Sequence, residues 1–304
     1  MELPVSDFGP YRIGWLDWFP PLPCPMYTVA RVKRNDPMNA PSNTTVFTPE
    51  NGKWQPAPQS MGPFGGMHGG AVSGLLTGEL ERLAHNAGHG PAISAAVYLL
   101  RPAPATLVET RPIAVREGGR VAVYENELWA NDKLQAKASM CFLKGVSDGS
   151  EITGISEAIQ GSIPGTPLLD PADVPKWQFP REPMAASFLN AVDIREDEEG
   201  TIWMRATRPL FAEATPFAST ISFADFSTLF SVVATGGRPN AGGWPNADLS
   251  LHLSRLPVGP WVGIKTRSDW FADGRGVTES EIHDVHGRIG RSTQAVVLAP
   301  APSA

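Results

Sequence analysis

The chain repeats itself. Laying PAISAAVYLLRP (91–102) over PNADLSLHLSRL (245–256) matches a proline, an alternating stretch and an arginine at one offset, 154 residues. The same offset carries YENEL (124–128) onto TESEI (278–282), with Glu125 over Glu279 and Glu127 over Glu281, and ASM (138–140) onto STQ (292–294). Chance similarity does not preserve register. An ungapped offset held over most of this region therefore predicts two copies of one structural unit.

Each half shows the same order of elements. In the first, MYTVARVKR and SNTTVFTPE read as strands, and a helix runs from about Gly69 to His85. Strands near 92–101, 106–117, 120–131 and 133–144 follow, joined by RPAPA, GG and ND. In the second, MAASFLNAVDI and GTIWMRATRPL read as strands around the turn-like REDEEG. An apolar helix from about Thr220 to Thr235, closed by Gly236 and Gly237, leads into strands 246–254, 261–271, 276–283 and 287–298. The intervening Gly/Pro/Ser-containing stretch reads as irregular. The expected units are thus residues 1–144, a connector at 145–182, and residues 183–304. A helix that is apolar over most of its surface has to be covered, and the four antiparallel strands beside it are the available cover. The fold class is α+β, a sheet wrapped around a helix, made twice.

Several function classes are excluded. A net charge of −6 gives no basic surface for nucleic acid, although a local cluster could still hold an anionic small ligand. Two cysteines, Cys24 and Cys141, are too few for a disulfide framework or a thiolate metal site, and both read as buried free thiols. The six histidines show no HExxH spacing, so no metal is expected. GGMHGG lacks the order of a phosphate-binding loop, and no GxSxG nucleophile turn occurs. The first residues lack the pattern of a signal peptide, and no run approaches the ~18 apolar residues of a membrane span. Cytoplasmic location is the resulting expectation.

FADFSTLF (223–230) sets a carboxylate, Asp225, in an aromatic run. Burying an ionised group without partners costs several kcal/mol or more. Its neighbours along a helix are Ile221 and Leu229, so a solvent-side aspartate bonded to Ser222 or Thr228 fits poorly. A carboxylate in a partly dry site can instead act as a general base.

With HGGAVSGLL (68–76) opening the first helix, FADFSTLF in the second, NADLSLHL (246–253) in the next strand and STQAVV (292–297) in the last, the chain resembles the acyl-CoA thioesterase II type of double-hotdog thioesterase over nearly its whole length. The resemblance implies a tandem hotdog fold and hydrolysis of an acyl thioester, acyl-CoA above all, without a cofactor. It also implies that an acid on the second helix, a hydroxyl opening the following strand and a glutamine in the last strand hold the attacking water. The matching residues are Asp225, Asn246 and Gln294. Asn246 departs from the pattern: its amide can hold water, or it can simply be a turn residue, and Thr228, one turn after Asp225, could supply the missing hydroxyl. His68, Gly69 and Gly70 open a helix whose free amides could polarise a thioester carbonyl. The alternative is that the two glycines only allow a tight lead-in to the helix. Phe223 and Phe226, with Phe230, are candidates to line an acyl tail. Arg101 and Arg255 recur at strand ends, as CoA-phosphate ligands or as solvated charges.

Alternation raises one difficulty. If Leu249, Leu251 and Leu253 face the helix, Asn246 faces away, so the site would have to lie where the halves meet or at an oligomer interface. Proteins of the resembled type commonly form homo-oligomers, and one is expected here. Two other readings stay open. An enoyl-thioester hydratase or dehydratase would want a histidine paired with the acid, and the second helix contains none. A catalytically silent acyl-thioester-binding protein would tolerate the departure at Asn246.

Overall fold

Strict alternation in the strand-like runs makes every strand two-faced, and the apolar helices supply something for the inner faces to cover. A computed structural model describes residues 45–145, 152–156, 161, 164–179, 183, 185–213, 215–234 and 241–300. In the first half, β1 (Phe47–Glu50) and β2 (Lys53–Pro56) precede α1 (Gly69–Asn86). There follow β3 (Ala92–Leu99), β4 (Glu109–Thr110), β5 (Ile113–Glu117), β6 (Val121–Ala130) and β7 (Lys133–Leu143). In the second, β8 (Val192–Glu196) and β9 (Ile202–Ala206) precede α2 (Pro216–Ala224) and α3 (Ser227–Ala234). Then come β10 (Ala241–Gly243), β11 (Asp248–Leu253), β12 (Val262–Trp270), β13 (Arg275–Asp284), β14 (Gly287–Val297) and β15 (Ala299–Pro300). MYTVARVKR and Cys24 lie outside the described residues, and Cys141 is half-buried rather than buried.

One antiparallel sheet of 11 strands runs through both halves, in the order β4-β6-β7-β3-β11-β14-β13-β12-β9-β8, with β5 also on β6. The halves join where β3 pairs with β11. Ala96 lies opposite Ser250, its own counterpart 154 residues later, so a pseudo-twofold axis passes between them. The repeat extends to details of register. Tyr124 opposite Met140 recurs as Thr278 opposite Gln294, and an irregularity after Leu128 recurs after Ile282. Inside the curve of the sheet, α1 packs on β3, β6, β7 and α2, while α3 packs on β12 and β13. Fully buried Leu75, Leu76, Leu80, Phe142 and Phe217 tie these layers together, each contributing about 1.5–3 kcal/mol.

The second helix differs from expectation by being two. The carbonyl of Ala224 accepts the Gln294 amide at 2.6 Å and the Ser227 hydroxyl at 2.7 Å, and the carbonyl of Asp225 accepts the Asn246 amide at 3.1 Å. Side chains thus take acceptors a continuous helix would use, and the ladder breaks at Asp225 and Phe226. Taken together, Pro216–Ala234 is 19 residues long and apolar enough to cross a membrane by length and composition, which corrects the expectation that no run is. Of its most apolar stretch, 78% is buried inside the fold, so the core accounts for the composition.

Candidate active site

Asp225 is 7% exposed and lies where the halves meet. Its Oδ2 accepts the Gly70 N–H at 2.5 Å and is 3.0 Å from His68 Nδ1; its Oδ1 accepts the Asn246 amide at 2.8 Å. The N-terminus of α1, from the other half, is therefore aimed at the carboxylate, adding the positive end of a helix dipole to the hydrogen bonds. Burial alone would push the Asp225 carboxyl up. The His68 imidazole beside it, its hydrogen bond, the Asn246 amide and the Gly70 N–H outweigh that and hold it below the ordinary value. Asp225 is an ionised, fully partnered group.

Behind it lies a second layer. Thr228 Oγ1 is 2.9 Å from Asn246 Oδ1, 2.8 Å from Gln294 Oε1 and 3.3 Å from Thr278 Oγ1, which is 2.6 Å from Ser268 Oγ. The two amides are fixed in orientation, because Asn246 donates to Asp225 and Gln294 donates to the Ala224 carbonyl. Both therefore turn oxygen toward Thr228, whose hydroxyl carries one proton. One of the two oxygens has no donor from this network. Gln294 and Thr228 are deeply buried, whereas Asn246 is only half-buried, so Asn246 forms the reachable side.

A change of register brings Asn246 inside. It bridges Val296, yet by Ser250 the partner is Thr293, one position out of step. The extra residue turns Asn246 onto the inner face with Leu249 and Leu251. Its counterpart Ala92 pairs with Phe142 across the same kind of shift, so the bulge belongs to the repeated unit.

Against known proteins, a family model of the acyl-CoA thioesterase N-terminal domain matches residues 57–143, and one of the C-terminal domain matches residues 164–298. The chain belongs to the acyl-CoA thioesterase family. It is a thioester hydrolase with the tandem hotdog fold. Among solved structures, a hot dog fold protein of unknown function from Alicyclobacillus acidocaldarius is 17% identical, with a TM-score of 0.62, covering 86% of this chain and 98% of its own. An acyl-CoA thioesterase II from Mycobacterium marinum is 14% identical with a TM-score of 0.59, covering 84% and 94%. A tesB protein from Mycobacterium avium subspecies paratuberculosis is 17% identical with a TM-score of 0.57, covering 84% and 97%. No curated protein gives a significant match.

In this thioesterase the two glycines differ in what their N–H groups can do. The Gly70 N–H is committed to Asp225, which takes it away from an oxyanion role; Gly69 keeps an N–H with no acceptor among the described residues. A Cβ on Gly70 would stand 2.2 Å from the Ser222 carbonyl, and one on Gly69 would stand 2.8 Å from Asp225 Oδ2. Close approach of α1 to the acid is what requires glycine here. Phe223, Phe226 and Phe230 are closed over, with exposures of 2%, 1% and 2%, so an acyl tail would have to move a ring. Arg255 is held by both oxygens of buried Asp284, and Arg101 donates to the Leu134 carbonyl, so neither is an uncommitted phosphate ligand.

The pairing of His68 with Asp225 was not anticipated. Reading for a histidine on the second helix misses one that caps the first, 157 positions earlier in the thioesterase. Thr278 and Ser268 were also missed, as was Phe188, whose ring lies 5.2 Å from that of His68. Thr278 and Gln294 share inward alternation positions on adjacent strands of one hairpin, a signal that was present in the sequence.

Proposed function

We propose that this thioesterase hydrolyses acyl-CoA esters to a free acid and CoA, using a water activated beside Asp225 and positioned by Asn246, Thr228 and Gln294. The carrying observation is the proton count: Asn246 donates to an ionised carboxylate, its oxygen and that of Gln294 share one hydroxyl proton, and Asn246, the half-buried one of the pair, can take a hydrogen from a water. Gly69 supplies the N–H available to a thioester carbonyl. The hydroxyl that the resemblance implies is offered by Thr228 in place of the residue at 246.

Thiol release from a panel of acyl-CoA chain lengths tests the reading. Asp225→Asn is expected to lower kcat by about 10²–10⁴-fold, and Gln294→Ala, which removes one acceptor of the Thr228 hydroxyl and one donor to the Ala224 carbonyl, by a smaller factor of roughly ten or more. Full release by both variants rejects the site; no release by wild type on any chain length rejects the substrate class. A second reading, hydration of an enoyl thioester, has one observation in its favour: the His68–Asp225 pair is the histidine–acid arrangement thought to be missing. It is separated by loss of enoyl absorbance without thiol release.

A further inference from the structure

Asp225 is poorly placed to take a proton itself. Its Oδ2 is shared between Gly70 and His68, its Oδ1 is taken by Asn246, and its side chain is only 5% exposed. His68 has the opposite character. Its side chain is 12% exposed, and Nε2 bonds to nothing among the described residues without being a buried orphan. The ring is clamped by Phe226 at 4.4 Å and Phe188 at 5.2 Å between centroids, and Phe188 stacks on Phe226 at an interplanar angle of 8°. Asp225 is the charged group in contact with the ring among the described residues.

Hydrogen-bond accounting fixes the tautomer. The Gly70 N–H is 3.1 Å from His68 Nδ1 but 2.5 Å from Asp225 Oδ2. The shorter, charge-assisted bond takes that hydrogen. Nδ1 at 3.0 Å from the carboxylate then has to carry its own hydrogen, since a bare lone pair there would face a negative oxygen. That leaves Nε2 as a lone pair on a side chain that is 12% exposed, with no partner among the described residues.

Resting on the acyl-CoA reading above, we infer that His68, capping the first helix, is the catalytic base, and that Asp225 is the residue that orients it. In the forward step a water O–H bond breaks, its proton passes to Nε2, and the oxygen pair bonds to the carbonyl carbon as the C=O pair moves onto oxygen at the Gly69 N–H. On collapse the C–S bond breaks, the pair leaves with sulfur, and Nε2 returns the proton to it. Water and thioester become acid and thiol, and the imidazole is neutral again.

The test uses the full chain and the acyl-CoA that the panel identifies. His68→Asn keeps a helix cap and a donor to Asp225 but removes the base. It is expected to lower kcat/KM by roughly 10²–10⁴-fold and to abolish the acid limb of the pH profile. His68→Gln should do the same, and added imidazole should restore part of the activity of His68→Ala. Folded His68→Asn and His68→Gln enzymes with the wild-type rate and limb overturn the role of His68 while leaving the acyl-CoA reading standing. A wild type that releases no thiol overturns both. If neither variant folds, nitrogen-15 NMR of the wild-type ring decides: hydrogen on Nδ1 supports the inference, and hydrogen on Nε2 alone overturns it.

Discussion

Asp225 and Glu81 are each set beside the first turn of the other half's helix. Asp225 accepts from Gly70, two residues after the His68 cap of α1; Glu81 accepts from Ala218 at 3.0 Å and from the hydroxyl of Thr215, the cap of α2. Yet the two carboxyls end in opposite states. Asp225 is held below its usual value, while burial pushes Glu81 up to about 8 against the opposing amides of Ala218 and Phe217. Both are buried, so burial does not separate them; the number and charge of donors does. Around Asp225 the second half places Asn246, Thr278 and Gln294, with His68 from the first. At the equivalent strand positions the first half has Ala92, Tyr124 and Met140, none of which reaches Glu81 with a hydrogen bond. Each acid takes amide hydrogens from the first turn of the other half's helix, and only Asp225 has the polar shell that keeps it ionised.

The sharpest way to break this comparison is kinetic. The same acid-to-amide change at the two positions should diverge by two orders of magnitude or more. Asp225→Asn loses about 10²–10⁴ in kcat, whereas Glu81→Gln, isosteric with an acid that is already protonated, stays within roughly threefold of wild type. A comparable loss in both would mean that Glu81 belongs to the chemistry.

Next in size is the dependence of stability on pH, where the two acids carry opposite signs. Glu81 binds its proton more tightly folded than unfolded. Its stabilisation is complete below the ordinary value of 4.5 and is lost as pH rises toward about 8. Over that interval the loss is on the order of a few kcal/mol, and Glu81→Gln should flatten it in a series of thermal melts. Asp225 contributes above its ordinary value of 3.8 and loses that contribution as pH falls through its lower folded value, so it adds no slope in the Glu81 window. A wild-type Tm that is level from acid to neutral pH would show that Glu81 is ionised when folded.

How much of this could be read beforehand follows from the kind of information each feature needs. The repeat, the strands and the first helix are local or periodic. The repeat, the first helix and most strands were legible, and the offset of 154 reappears as the pairing of Ala96 with Ser250. The exceptions are MAASFLNAVDI, where Phe188–Ala191 forms a 3-10 turn and the strand starts only at Val192, the run 106–117, which divides into β4 and β5, and β2, which was not foreseen. The break in the second helix was not, because its cause is the arrival of Gln294 and Asn246 from strands 70 and 21 residues away. The inward turn of Asn246 depends on a one-residue bulge that alternation cannot register. Asp225, Thr228, Asn246 and Gln294 do come together, as inward-facing polar residues on elements that cover one another. His68 escaped because it enters from the other half, and only the crossing of α1 over α2 brings it to the acid.

The smallest expected effect concerns what Glu81 does instead of catalysis. Thr215 caps α2 but gives its hydroxyl to Glu81 rather than to its own first turn, and Glu81 in exchange takes the Ala218 N–H. The acid therefore substitutes for the cap side chain, joining α1 to the start of α2. Thr215→Val keeps the shape and removes the hydroxyl, and it should cost about 0.5–1.5 kcal/mol, the net worth of one hydrogen bond. Thr215→Ser keeps the donor and should be near neutral. Because the lost hydroxyl helped to stabilise either form of the carboxyl, the decisive readout is pH: if the hydroxyl favours the ionised form, the Val variant keeps its acid-side stability to a higher pH than wild type does. A larger cost for Ser than for Val in thermal melts would mean that the Thr215 methyl matters more than the bond, and that Glu81 needs only the backbone of α2.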